Sequence, residues 1–279
     1  MIIKRKQEKN MYYLMENIEN FRDLGGISTL DNKKVKEGKL FRCADLSSAT
    51  ENDIKKIKQL GIDTIVDFRS TNEALAKKDP EIENIKYYHI NLIKDRLDGV
   101  ERKDKEDNFY EWMIEQSYDY PDRFSDQMIK NYSTLISEEY PLNGYRRFFD
   151  ILLDEKNDKI LWHCSAGKDR TGIAAILILE ALGAEKDQIY ENYLETNEHL
   201  KRSVYEVKEI VKRLAGDHKN YEAIQNSFAK AMSASKDFID NCYRTMVEKS
   251  GTPQIYLQEY LGIDENDRKK LKEKFCEDL

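Results

Sequence analysis

Cysteine is scarce in this sequence: four in 279 residues, at 43, 164, 242 and 276, and no two form a Cys-x-x-Cys pair. That spacing excludes a zinc cluster and a disulfide framework, and it points to a reducing compartment. Proline (4) and glycine (12) are few, which argues against disordered tails or long linkers. Long apolar runs are missing as well. The longest, Ile173 to Leu179, is too short to span a bilayer, and the basic stretch Met1 to Glu16 holds no apolar run of signal-peptide length. The expectation is a cytoplasmic protein with no integral membrane segment, export by a signal-less route remaining open. Positive charge is in the minority, 46 Lys and Arg against 53 Asp and Glu. The net charge of -7 speaks against general nucleic-acid binding and against attraction to anionic membranes. Oligomeric state is left undetermined by the sequence.

What is present reads as a soluble α/β chain. Gly26 to Thr29 and Lys39 to Cys43 have strand character around a polar turn, Asp31 to Lys34. Thr50 is a candidate N-cap for a helix from Glu51 to Gln59 that ends at Gly61. Ile62 to Phe68 and Ile85 to Ile90 read as strands, Lys94 to Asp107 as a charged loop, and Asn108 to Ile136 as one or two helices with Pro121 near a start. Tyr145 to Leu153 is a helix, Lys159 to His163 a buried strand, and Thr171 to Leu182 a helix apolar on nearly every side, hence internal. Beyond Gly183 the pattern is helical: Leu200, Val204, Val207, Val211 and Leu214 form one stripe, and Asp237 to Glu248, Pro253 to Leu261 and Asp264 to Phe275 follow. No composition break divides residues 1–279, so one domain with a helical C-terminal third is expected.

The chemistry is concentrated in Lys159-Ile-Leu-Trp-His-Cys-Ser-Ala-Gly-Lys-Asp-Arg-Thr-Gly172. A strand entering a tight loop that opens straight into a helix makes successive backbone amides converge, and the helix start adds unpaired N–H groups and a positive dipole end. The backbone of Ser165, Ala166, Gly167 and Lys168 would thus cradle an oxyanion. Arg170, six residues after Cys164, can fork two hydrogen bonds onto phosphoryl oxygens. The same positive surroundings favour a Cys164 thiolate at neutral pH, the nucleophilic form. Gly167 permits a backbone turn that a Cβ would obstruct. Thr171 can donate its hydroxyl to the sulfur, and His163 orders the loop by hydrogen bonding. A nucleotide-binding P-loop does not fit, because Asp169 follows the Gly-Lys and His163 stands where that motif has a glycine.

With Asn20-Phe-Arg-Asp-Leu-Gly-Gly26, Leu40-Phe-Arg-Cys-Ala44, Asp67-Phe-Arg-Ser70 and Tyr256-Leu-Gln-Glu-Tyr-Leu-Gly262 in the same order, the motif His-Cys-x-x-Gly-Lys-Asp-Arg-Thr-Gly resembles the signature of bacterial tyrosine-phosphatase-like enzymes related to mycobacterial tyrosine phosphatase B. The resemblance covers nearly the whole chain. It implies a central, mainly parallel sheet with helices on both faces, and a phosphomonoesterase working through a phosphocysteine. Its implied substrates are phosphotyrosine, and often phosphoserine, phosphothreonine or phosphoinositides. It also implies no cofactor, the loop amides and Arg170 supplying the charge stabilisation.

Expelling the alcohol needs a general acid. The two tryptophans, Trp112 and Trp162, do not precede proline, so no Trp-Pro-Asp loop supplies one. Asp169 is the nearest carboxylate, and the resemblance assigns it that role; pairing with a neighbouring cation is its structural alternative. Asp67, at the end of a strand, is the second candidate, with an ion pair to Arg69 or Arg22 as its alternative. Arg22 lies in Phe21 to Gly26, a segment whose counterparts border the pocket in the family, with a turn before a strand as its structural alternative. Lys168 beside Arg170 suits a ligand with more than one phosphate and is equally compatible with phosphotyrosine. Residues 200–231 match the place of a helical lid in the family, against a plain packed stripe. The competing functions are an inositol-phosphate- or phosphoinositide-specific phosphatase, a phosphate-binding module without turnover, and sulfur transfer or arsenate reduction.

Overall fold

A computed structural model describes residues 14–94 and 106–279. Five strands form the main sheet: β1 (Arg22–Asp23), β3 (Leu40–Cys43), β6 (Ile160–His163), β4 (Thr64–Asp67) and β5 (Lys86–His89), side by side in that order. β1 runs antiparallel to β3, and the other neighbours are parallel. The register puts Cys43, His163, Asp67 and His89 in one row at the carboxyl ends of the strands, the edge where parallel sheets collect their sites. Every residue of β3, β4 and β6 is buried, as expected for parallel strands covered on both faces. This is the mainly parallel α/β sheet expected from the sequence.

On one face lies α1 (Glu51–Leu60), held by a capping box between Thr50 and Asp53 and closed by Gly61 at φ +71°. Its Ile57 and Leu60 pack with Phe41, Ile65 and Leu161. After β4 the short α2 (Thr71–Ala76) starts on a second capping box, Ser70 with Glu73. Next come α3 (Glu106–Glu115), α4 (Arg123–Leu135) and α5 (Glu139–Leu153), then α6 (Asp169–Leu182) directly after β6. Its residues Arg170 to Leu182 are all buried. α7 (Lys186–Ala215), α8 (Tyr221–Met232), α9 (Lys236–Ser250), α10 (Pro253–Leu261) and α11 (Glu265–Phe275) complete the helical third. Phe238, Tyr256, Leu257, Leu271 and Phe275 share one hydrophobic cluster with α6 and the sheet. In the stripe along α7, Val207 and Val211 are buried against Ile114, Ile224 and Phe228, with Val204 and Leu214 only half-buried.

Several element boundaries differ from expectation for local reasons. Gly26 to Thr29 is not a strand: Gly26 turns at φ +86°, and Ser28 and Thr29 make single bridges to Lys34 and Ala184. The turn ends at Asn32 (φ +58°), and Lys33–Val35 forms β2, paired with β7 (Cys276–Asp278) at the chain's end. α5 starts six residues before Tyr145 because Pro141 sits in its first turn, where a missing N–H costs nothing. Of the charged stretch 94–107, residues 95–105 lie outside the described residues, and 106–107 already belong to α3. Among the described residues no helix is long and apolar enough to cross a membrane.

Candidate active site

The link between β6 and α6 is built from both sides. Gly167 adopts φ +63°, and a Cβ there would come within 2.3 Å of the Cys43 carbonyl oxygen. A substituted residue would therefore meet both strain and a backbone clash. The loop's carbonyls are engaged from outside. Asn20 Nδ2 donates to Gly167 O (2.9 Å) and Ala166 O (3.2 Å), and Arg42 donates to Gly167 O (2.7 Å). Arg22 in turn holds Asn20 through its carbonyl and side-chain oxygens, and reaches Asn192 O (2.9 Å) and Thr196 Oγ1 (2.8 Å) on α7. Burial pushes both guanidiniums down, Arg42 to about 10, with mutual repulsion adding to it at Arg22. Arg22 thus braces the loop from outside.

With its carbonyls turned outward, the loop has spare donors. None of the amides from Ser165 to Lys168 donates to an acceptor among the described residues. Cys164 sits at the floor, 2% exposed. Arg170 lies in the first turn of α6, which opens at Asp169, two residues before the Thr171 start expected from the sequence. Its guanidinium is forked onto Glu73, at 2.6 Å from Oε2 and 3.0 Å from Oε1, and also reaches Ser165 Oγ at 3.3 Å. Ser165 Oγ donates to Glu73 Oε1 (2.6 Å). Burial would raise the Glu73 carboxyl, but Arg170, Ser165 and the Ser70 amide bring it down to about 2. Glu73 therefore stays ionised at any working pH and fixes the plane of the Arg170 fork.

Asp169 is half-buried. Its Oδ1 accepts from the Tyr132 hydroxyl (2.7 Å) and lies 3.4 Å from Lys168 Nζ. Lys168 is 4% exposed, its ammonium donates to the Ala231 carbonyl at the end of α8, and it lies 5.9 Å from the centre of the Phe238 ring. The Thr171 hydroxyl is buried and bonds nothing among the described residues, so the expected hydrogen bond to the Cys164 sulfur is not made.

Asp67 is fully buried and clasped by Arg69, whose Nε and Nη2 lie 2.8 to 3.0 Å from its oxygens. Tyr87 also donates to it (2.9 Å). Desolvation would raise this carboxyl, yet Arg69 and His163 hold it below the usual range. A carboxylate stabilised in its charged form is a poor proton donor, and the ion pair to Arg69, not Arg22, is its observed role. His163 lies between Asp67 (Nδ1 to Oδ1, 3.8 Å) and Asp79 (Nε2 to Oδ2, 3.2 Å), with Nδ1 3.4 Å from Cys164 O. Asp67, Asp79 and His163 are close enough to resemble a metal site. However, Arg69 already contacts both carboxylates, at 2.8 and 2.5 Å, and supplies the positive charge there.

The loop's immediate residues were legible in the sequence; Glu73, Asp79 and Tyr132 were not. Glu73 had one local signal, the Ser-x-x-Glu capping box that follows Asp67-Phe-Arg.

A buried thiol beneath a ring of loop amides, with a forked guanidinium at the rim, is a geometry that can hold a tetrahedral oxyanion over sulfur. The tyrosine phosphatase family model matches residues 13–277, and the chain belongs to that family; it is a phosphatase. A Cupriavidus necator protein described as a tyrosine-protein phosphatase is 28% identical over 250 residues, 89% of this chain and 84% of that one. The triple specificity protein phosphatase PtpB of Mycobacterium tuberculosis is 27% identical over 203 residues, covering 70% and 72%. Among solved structures, the core catalytic domain of the PP-IP phosphatase SIW14 from S. cerevisiae aligns with 75% of this chain and 97% of that one. Its TM-score is 0.37 and its identity 16%.

Proposed function

We propose that Cys164 is the nucleophile of a phosphatase acting on phosphotyrosine, and also on phosphoserine, phosphothreonine and phosphoinositides, through a phosphocysteine intermediate. The Cys164 thiolate attacks phosphorus, the P–O bond to the alcohol breaks, and Asp169 gives its proton to the departing oxygen. In the second step Asp169, now a carboxylate, takes a proton from water as that water attacks phosphorus and the P–S bond breaks. Inorganic phosphate leaves, and the thiolate is restored. The amides of Ser165, Ala166, Gly167 and Lys168 and the fork of Arg170 hold the phosphoryl oxygens throughout.

The observation that carries this reading is the set of unspent loop amides around Cys164, with Arg170 fixed by Glu73. Breadth of specificity is supported by the name of the mycobacterial relative, a triple specificity protein phosphatase. We infer too that residues 200–231 act as a lid within one catalytic domain, supported by the Lys168 tie to Ala231. Lys168 must leave that carbonyl before it can meet a second phosphate. Four cysteines without a disulfide support a reducing, cytoplasmic setting.

The test is p-nitrophenyl phosphate turnover in EDTA by the parent and by Cys164→Ser. We expect metal-independent hydrolysis by the parent and none by the variant. Equal rates would remove the thiolate mechanism, while activity on thiosulfate or arsenate in place of phosphate esters would favour sulfur transfer or arsenate reduction.

A further inference from the structure

The carboxylate read as the general acid is not presented symmetrically. The hydrogen bond to Asp169 falls on one oxygen: the Tyr132 hydroxyl donates to Oδ1 at 2.7 Å, and Oδ1 is also the oxygen nearest Lys168 Nζ, at 3.4 Å. Oδ2 carries no hydrogen bond among the described residues. Tyr132 belongs to α4, is fully buried, and packs against Phe238 of α9 with ring centres 5.1 Å apart and the rings tilted by 32°. Its hydroxyl has a second partner, the hydroxyl of Tyr193 on α7, at 2.7 Å.

Counting protons gives this chain a direction. Each phenol has one O–H. Tyr193 is 1% exposed, and among the described residues its hydroxyl bonds only to Tyr132. A buried O–H without an acceptor costs about 1–3 kcal/mol. Tyr193 therefore donates to Tyr132, and Tyr132 has its own proton left for Asp169. The reverse order would leave the Tyr193 proton stranded in the core. Burial, reinforced by the nearby Asp169 carboxylate, pushes both phenols well above their usual range, so both remain donors at working pH.

We propose that Tyr132 is a positioning residue for Asp169: by occupying Oδ1 it leaves Oδ2 to carry the proton given to the leaving group, with Tyr193 orienting the Tyr132 hydroxyl from behind. In the first step the Oδ2–H bond breaks as the P–O bond breaks, and the proton ends on the departing oxygen. Were the proton on Oδ1, it would meet the Tyr132 O–H head-on and displace that hydrogen bond. The inference rests on Asp169 being the acid.

General acid catalysis matters most when the leaving group is poor, which gives a readout that loss of packing alone does not move. The measurement is kcat/KM for phenyl phosphate and for 2,4-dinitrophenyl phosphate, whose leaving group needs no proton. The proteins are the parent, Tyr132→Phe, Tyr193→Phe and Asp169→Asn. If Asp169 is the acid, Asp169→Asn lowers the phenyl-to-dinitrophenyl ratio by about a hundredfold. For Tyr132→Phe, which keeps the ring, we expect the ratio to fall about tenfold, with a smaller fall in the same direction for Tyr193→Phe. A Tyr132→Phe variant that loses both substrates equally, or neither, while Asp169→Asn shows its selective loss, overturns the inference and leaves the acid assignment standing. Absence of a selective loss in Asp169→Asn removes the acid assignment and the inference together. Should Tyr132→Phe fail to fold, Tyr193→Phe carries the test: an unchanged ratio there overturns the proposal.

Discussion

Glu73 is the residue on which the geometry of Arg170 depends. One carboxylate accepts both guanidinium nitrogens, the Ser165 hydroxyl and the Ser70 amide, so it caps α2 and aims the cation together. Glu73→Gln keeps the shape but replaces one acceptor oxygen with a donor, which turns against Arg170. We expect kcat/KM for p-nitrophenyl phosphate to fall by about ten- to a hundredfold, the range that misplacement of a clamp costs. Melting temperature at pH 7 should fall modestly, because the stability held by the depressed Glu73 carboxyl is lost. An unchanged kcat/KM would show that Arg170 needs no such partner. Arg170→Lys separates charge from shape: it retains the cation and loses the fork, and a loss of at least about a hundredfold is expected. Cys164, Gly167 and Arg170 could be read from the sequence because the chemistry needs them in one contiguous segment. Glu73 stands 97 positions from Arg170, and Arg42 and Asn20 stand 125 and 147 positions from Gly167. Contacts across that distance are made by the sheet and leave no local pattern.

At the scale of elements, the β6–loop–α6 unit was legible because hydrophobic strand, glycine turn and apolar helix succeed one another without interruption. The β2–β7 pair was not, since Lys33-Lys34-Val35 and Cys276-Glu277-Asp278 are short, charged and at opposite ends of the chain. Nor was Arg22–Asp23 as a strand: two residues have no periodicity, and only pairing with Phe41 and Arg42 defines them. The proposed lid, residues 200–231, runs from α7, whose Val207 and Val211 are buried, into α8, whose Ala231 carbonyl accepts from Lys168 of the loop. The loop itself is the element most sensitive to a single methyl. Gly167→Ala puts a Cβ 2.3 Å from Cys43 O and 2.7 Å from the Ala44 nitrogen at a positive φ. We expect phosphatase activity to drop by at least about a hundredfold as the amides lose their common focus. The far-ultraviolet circular dichroism should remain that of the parent. Retained activity would mean that the loop tolerates another backbone path.

For the whole molecule, the buried and half-buried carboxylates set the response to acid. Glu73, Asp67 and Asp79 are held below their usual range by Arg170, Arg69 and His163, in each case against the upward push of burial. A depressed folded value means the unfolded chain binds protons first as pH falls. The stability these groups contribute is complete above about pH 5 and is lost progressively below it, towards about 2 for Glu73. Glu180, raised by burial with Tyr243 only partly offsetting it, acts in the opposite sense: its protonation favours the folded state. Depressed carboxyls, Asp53 among them, outnumber the raised Glu180, which predicts a melting temperature nearly flat from pH 7 to 5 that falls between pH 5 and 3. In Glu73→Gln that fall should be shallower. Stability rising towards pH 3 would contradict the assignment of these ion pairs.

The central claim is that phosphate passes through Cys164. Turnover of p-nitrophenyl phosphate quenched in acid within the first catalytic cycle, followed by trypsin and mass spectrometry, reads it directly. The account predicts one phosphoryl group on the peptide Ile160–Lys168, bound to Cys164, and absent from Cys164→Ser. A phosphoryl group on any other residue, or turnover in Cys164→Ser without an adduct on this peptide, would contradict it.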